Sequence, residues 1–205
     1  MGIMTMKDAL LSFKGEKVFI TGHTGFKGAW LTYLLNEIGA NVMGFSLPET
    51  QKFDHFTLLA LKDKIQHKEG DIRNYQALKS VISDFQPAYV IHMAAQALVK
   101  KSYEDPRLTI ETNVMGSTNL LESVKNTDSV RSLVFITSDK CYENLEWVWG
   151  YRENDQLGGH DPYSASKAAA EIVFSAYARS FLASRPTLGA ATARAGNVIG
   201  GGDWA

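Results

Sequence analysis

Thr21-Gly22-His23-Thr24-Gly25-Phe26-Lys27-Gly28 is the stretch that decides the fold. It is preceded by a short β-rich run, Lys17–Thr21 (KVFIT). After it, apolar residues recur at helical spacing through Trp30, Leu31, Leu34, Leu35 and Ile38, until Gly39 stops the helix. A strand that enters a helix through a glycine-rich turn is the arrangement that holds a dinucleotide's pyrophosphate. Gly22 permits the tight turn, Gly25 lets backbone approach the phosphates, and Gly28 lets the helix pack on the strand. Thr24, Phe26 and Lys27 complete the turn, and the open N–H groups of the helix start face the bound anion. Glycine triplets also occur in purely structural turns; here the strand before and the helix after give the triplet its meaning. It is no P-loop, because the Gly-Lys-Ser/Thr ending is missing.

Outward from this turn the chain alternates strand-like and helix-like segments. Asn41–Phe45, Ile65–Gly70, Ala88–Met93, Ser132–Thr137 and Gly189–Ala193 read as strands. Gln76–Asp84, Arg107–Lys125 and Pro162–Ser184 read as helices. Strands that are apolar throughout, separated by helices, indicate a parallel sheet covered on both faces: an α/β, doubly wound, Rossmann-like fold. Residues 143–161 show no periodicity but carry Trp147, Trp149 and Tyr151, so they are expected to form an ordered loop facing the substrate.

Composition narrows the function. The chain has 205 residues, 45% hydrophobic and 21% charged, with a formal net charge of −1. That balance argues against a nucleic-acid-binding arm and against disorder. No apolar run reaches the roughly 18–20 residues that span a bilayer, and the N-terminus lacks the pattern of a secretory signal. The lone Cys141 allows no internal disulfide, which fits a reducing, cytoplasmic setting, and it reads as a buried apolar residue. His23, His55, His67, His92 and His160 fall in no metal-ligand spacing with cysteine or acid, so no metal site is expected. Residues 1–14 read as a polar lead-in, and 15–205 as the nucleotide-binding domain.

Tyr163-Ser164-Ala165-Ser166-Lys167 puts a tyrosine and a lysine at i and i+4 on one helix face. A cation one turn from a phenol of ordinary pKa about 10 favours the phenolate, and so general-base work near neutral pH. Thr137-Ser138-Asp139-Lys140 follows the buried run Leu133–Ile136, at a strand's carboxyl end where open parallel sheets bind ligands. Ser138 can hydrogen-bond the reacting oxygen. Asp139 and Lys140 add an acid and a base that plain hydride transfer does not need, and that a β-elimination does. No acid stands at the tip of the second strand (Gly44-Phe45-Ser46-Leu47) to mark a free ribose, and Lys27 or His23 could meet a 2′-phosphate. The residues therefore leave NAD and NADP both open.

Taken together, GHTGFKG, GDIRN (70–74), HMAAQ (92–96), ETNVMGSTNLLE (111–122), TSDKCYEN (137–144), DPYSASK (161–167) and RAGNVIGGGDW (194–204) resemble the nucleotide-sugar dehydratases among the extended short-chain dehydrogenases. The likeness runs from Lys14 to Ala205. Lys140, where the dTDP-glucose branch carries glutamate, points to the branch that acts on CDP-glucose. The resemblance implies NAD as cofactor and CDP-glucose as substrate, in a deoxysugar pathway such as that of lipopolysaccharide O-antigen. It implies contacts to adenine from Asp71 and Ile72, to the ribose side from Ala94, Ala95 and Gln96, and to the substrate diphosphate from Asn197. It further implies that Tyr163 removes the C4 hydroxyl proton, that Lys167 supports it, that Lys140 is the base at C5 or stabilises the enolate, and that Asp139 protonates the departing C6 hydroxyl. Asn113 lies in a helix beneath the site, and Arg194 reads as structural. Members of the family continue into a smaller substrate domain, so this chain is expected to carry the cofactor domain without most of it. A homodimer through a four-helix interface built from the helices at 107–125 and 162–184 is implied as well.

Overall fold

The computed structural model describes residues 6–49 and 53–203. It holds six parallel strands: β1 Lys17–Thr21, β2 Asn41–Ser46, β3 Gln66–Glu69, β4 Tyr89–His92, β5 Ser132–Ile136 and β6 Gly189–Ala193. Their order is β3-β2-β1-β4-β5-β6. Thr21 at the end of β1 registers with Phe45 on one side and His92 on the other, so β1 and β4 flank the point where strand order reverses. Ligands of open α/β sheets bind beyond the strand ends at such a point. β1 is buried on both faces. Val18 and Ile20 meet Leu35, Val42 and Ile91 on one side, while Phe19 joins Phe45, Leu78, Leu120 and Phe135 on the other. Two-sided burial is why the strand reads as a continuous apolar run instead of alternating.

The helices that cover the sheet are α1 Met6–Leu11, α2 Phe26–Glu37, α3 His55–Leu58, α4 Tyr75–Phe85, α5 Val99–Glu104, α6 Pro106–Ile110, α7 Ser117–Lys125 and α8 Pro162–Tyr177. Side-chain caps set several starts: Asn74 accepts from the Ala77 N–H, Asp105 from Leu108 and Asp161 from Ser164. The expected helix at 107–125 is α6 and α7 joined by a wide π-type turn, Glu111–Gly116. The helix expected over 162–184 likewise ends in such a turn, Ala178–Leu182. α2 differs from its sequence pattern. Ala29, Thr32 and Leu35 are buried, whereas Trp30 and Leu34 are exposed. The small residues let the helix sit close to β1, and Trp30 instead donates to the Gly201 carbonyl at 3.1 Å. Among the described residues, no helix is long and apolar enough to cross a membrane.

The loop at 143–161 is ordered, as its aromatics led one to expect. Tyr151 stacks on Tyr142 with ring centroids 5.1 Å apart, and Trp147 packs on Tyr151 at 5.4 Å. A bridge joins Tyr142 to Leu157, and the Gly158 N–H donates to the Cys141 carbonyl.

Candidate active site

The glycine turn is built by close approach. Gly22 has φ of +76°, and a Cβ there would stand 2.7 Å from the Ala94 nitrogen. A Cβ on Gly28 would stand 2.0 Å from the Gly22 carbonyl oxygen, so that position admits no side chain. Gly25 is different: its Cβ position meets nothing closer than 3.4 Å, and no side chain caps the start of α2. The 12-residue helix thus presents free N–H groups at an open backbone surface, which suits a pyrophosphate. Thr24 Oγ1 bonds Ser46 Oγ at 2.8 Å, which ties the turn to the tip of β2.

Of the two side chains read as possible 2′-phosphate ligands, His23 is sealed inside the fold. His23 is fully buried, edge-on to Phe56, with Nε2 2.7 Å from His67 Nδ1. Burial, then the nearby His67, push its pKa down to about 3. The ring lies directly over Gly44, where a Cβ would clash at 2.2 Å. The charge of Lys27 acts on Lys167 and helps lower its pKa. His23, sealed in the fold, is not available to a ribose phosphate.

Beyond β3, Asp71 is half-buried and gripped by Arg73, whose hydrogen bonds hold its carboxyl below the usual range; Ile72 is buried against Gly116. Beyond β4, Ala94 touches Gly22 and Gln96 is fixed by Asn113. The Asn113 Oδ1 accepts from the Gln96 N–H at 2.7 Å, and its Nδ2 donates to the Gln96 carbonyl and to Ser166 Oγ at 2.8 Å. The wide turn in the α6–α7 helix aims this buried amide between the β4 loop and α8, so Asn113 holds elements together.

Beyond β5, Ser138 donates to Asp139 Oδ1 at 3.0 Å, and its hydroxyl faces the Tyr163 phenol closely enough to favour the phenolate. Lys140 Nζ lies 3.8 Å from Asp139 Oδ1, with both side chains about half exposed. Tyr163 and Lys167 sit on α8, both buried, with the Lys167 ammonium 5.8 Å from the Tyr163 ring centroid. Burial raises the Tyr163 pKa above its ordinary value despite Ser138, and burial together with Lys27 brings Lys167 down to about 8. Desolvation opposes the charged form of each group. Asn197 follows β6, whose continuation passes the acid: Ala195 accepts from the Asp139 N–H, and a Cβ on Gly196 would stand 3.4 Å from Asp139 Oδ2.

Two further groupings were not legible in the sequence. Glu171, buried, binds Arg194 through two 3.0 Å contacts and also accepts from Thr137. The signal was present as the one acid in the run Lys167–Phe174, a turn beyond the lysine. Separately, Glu49, His67 and Glu69 bring ligand-capable atoms within 4.8 Å of one another, a grouping the spacing argument passed over. Lys62 Nζ stands 3.7 Å from Glu69 there and balances part of its charge. Cys141 is buried and its thiol pushed up to about 11, as suits an apolar packing residue.

A doubly wound parallel sheet, a glycine turn at the switch point and a buried Tyr-Lys pair on α8 define a nucleotide-binding domain of the short-chain dehydrogenase class. Residues 19–186 match the family model described as GDP-mannose 4,6 dehydratase, and the chain belongs to that family. It is 51% identical over 197 residues to a CDP-glucose 4,6-dehydratase of Salmonella typhimurium, covering 94% of this chain and 55% of that protein. A UDP-glucose 4-epimerase of Thermus thermophilus in complex with NAD superposes with a TM-score of 0.74 at 30% identity, covering 87% of this chain and 54% of that one. The epimerase Mth375 of Methanothermobacter thermautotrophicus gives 0.79 at 25% identity, covering 96% and 56%. The chain thus spans about half the length of the relatives it matches.

Proposed function

We propose that the protein carrying this chain is an NAD-dependent hydro-lyase that converts CDP-glucose to CDP-4-keto-6-deoxyglucose. The observation that carries this reading is the Ser138-Asp139-Lys140 turn at the end of β5, set against Tyr163: an acid and an amine beside a redox pair. Identity to a CDP-glucose 4,6-dehydratase over nearly the whole chain supports the same reading. The nicotinamide, when bound, would supply the hydride acceptor for C4 and return the hydride to C6. The glycine turn and the start of α2 would hold its pyrophosphate, and Asp71, Ile72, Ala94, Ala95 and Gln96 would line its adenosine and ribose. Tyr163 takes the C4 hydroxyl proton, with Ser138 steadying the oxygen as it becomes a ketone. The ketone acidifies the C5–H; Lys140 removes that proton or stabilises the enolate, and Asp139 protonates the leaving C6 hydroxyl. Asn197 would meet the substrate diphosphate. The protein acts in the cytoplasm, in keeping with its one buried cysteine. Two copies pair through the α6–α7 and α8 faces, where Ile110, Met115 and Ile172 are exposed.

The test offers CDP-, dTDP-, GDP- and UDP-glucose in parallel to the complete gene product with NAD and reads products by NMR. A 4-keto-6-deoxy sugar from CDP-glucose is expected. Epimerised sugar or net cofactor consumption without loss of water overturns the reading. Lys140→Ala is expected to keep C4 oxidation while slowing C5–H exchange with solvent deuterium by roughly 10²-fold or more. Unchanged exchange removes Lys140 from that step.

A further inference from the structure

We infer that the Glu171–Arg194 pair, acting through Thr137, positions the Ser138-Asp139-Lys140 turn against Tyr163, an inference that rests on reading this site as a sugar-oxidising one. Glu171 lies on α8 one turn beyond Lys167 and two beyond Tyr163. Its carboxylate is buried, and each contact leads to a different segment. Oε1 accepts from Thr137, the residue immediately before Ser138. Arg194 donates to both oxygens at 3.0 Å, from the first position after β6. The same guanidinium donates to the Glu153 carbonyl at 2.9 Å and lies over the Tyr142 ring at 4.9 Å, which engages the aromatic loop. The backbone completes the frame: the Thr137 N–H donates to Ala193, and the Asp139 N–H to Ala195, both at 3.0 Å.

One ion pair therefore joins α8, the ends of β5 and β6, and the aromatic loop at 143–161. Stability does not account for it. The desolvation of a buried pair offsets most of its attraction, and apolar replacements often do as well. What the pair supplies is direction, because a planar guanidinium offers several N–H groups at fixed angles to one carboxylate and one carbonyl. The other bonds of Ser138 stay within its own turn: its hydroxyl donates to Asp139 and accepts from the Lys140 N–H, and its carbonyl accepts from the Cys141 N–H. The Thr137 hydroxyl is the link by which the pair reaches it. Thr137, Glu171 and Arg194 are thus positioning residues, and none of them need touch the sugar.

Thr137→Val removes the link with almost no change of shape and none of charge. The expected result is a fall in kcat of roughly 10–10²-fold, as for a misplaced catalytic group, with KM for CDP-glucose little altered. A second readout needs neither substrate nor cofactor. Carbon-13 NMR of labelled tyrosine, assigned with Tyr163→Phe, follows the Tyr163 phenol, which Asp139, Asp161 and Ser138 face from β5 and the start of α8, with Lys167 along the same helix. If Ser138 swings away, the phenol titrates higher in Thr137→Val than in the parent, and Thr137→Ser restores it. Glu171→Gln separates geometry from charge. Around Glu171 stand Arg194, Thr137, Thr192 and, more distantly, Lys167 and Cys141. Loss of its negative charge alone would lower the Tyr163 titration, whereas loss of position raises it. If Thr137→Val does not fold, Glu171→Asp, which keeps the charge but withdraws the carboxylate, takes its place with the same upward shift expected. An unmoved or lowered Tyr163 titration in Thr137→Val, or in Glu171→Asp where it takes that variant's place, overturns the inference. A parent protein inactive on CDP-glucose counts against the proposed function alone, because the tyrosine titration still decides the positioning role.

Discussion

Tyr163→Phe is expected to lower the rate of the proposed C4 oxidation by roughly 10²–10⁴-fold, the span that a positioned general base contributes, equal to about 3–5 kcal/mol of barrier. The substitution removes one oxygen from a side chain that is 7% exposed and leaves the ring packed on α8. The effect therefore falls on chemistry. In the proposed function the Tyr163 phenol takes the proton from the sugar hydroxyl while Ser138 holds the same oxygen. Its burial carries a further consequence. The pKa lies above the ordinary value, so at neutral pH most molecules carry the phenol protonated, and kcat/KM rises with pH through the neutral range. Lys167, brought down to about 8, limits that rise from above as it loses its charge. The measurement is single-turnover nicotinamide absorbance against pH for parent and variant. In the variant both the rate and its alkaline rise should vanish while the melting temperature holds. A variant keeping more than about a tenth of the parent rate would take Tyr163 out of the reaction.

What could be read from the sequence was what local chemistry fixes. The turn at Gly22–Gly28 needs only neighbours within a few residues, so its strand, glycines and helix were all visible. β1 and β4 were visible because burial on both faces writes an unbroken apolar run, and β5 because its sequence is equally apolar although only one face is fully buried. Tyr163 and Lys167 were visible because one helical turn makes them a pair. α3 and α5, with 4 and 6 residues, are too short to show a period, and the sequence pattern missed them. His23 was misread because its orientation depends on Gly44, which leaves room for the ring only once β1 and β2 are in register. The Glu171 network was invisible for the same kind of reason. Its partners lie 23 and 34 residues away and meet only when β5 and β6 pair beside α8. The candidate reacting residues were legible, whereas the contacts proposed to hold them in place depend on tertiary register.

Acid should destabilise this domain from about pH 6.5 downward, because two histidines are buried in neutral form. His92 is sealed between Thr21 Oγ1 at 2.6 Å and Ser117 Oγ at 3.0 Å; burial and then the charge of Lys167 bring its pKa to about 3. His23 reaches about 3 through burial and His67. In the unfolded chain both titrate near about 6.5. The sign follows from proton counts. Between those two values the unfolded chain binds more protons than the folded one, so stability is full above about pH 6.5 and is lost as pH falls toward 3. Each pH unit in that window costs about 1.4 kcal/mol per histidine. Two histidines over two units cost about 5 kcal/mol, a large share of the roughly 5–15 kcal/mol that holds a domain folded. Asp71 and Glu171, whose pKa values lie below the ordinary range, lose their contribution only further down. The check is the urea midpoint at about pH 7 and about pH 4.5, with His92→Gln expected to remove about half of the difference. Proton NMR of the imidazoles gives the second reading, in which His23 and His92 should stay neutral wherever the domain is still folded. Midpoints that agree at the two pH values, or histidines that titrate near 6.5 in the folded protein, would show that the buried rings reach water without unfolding.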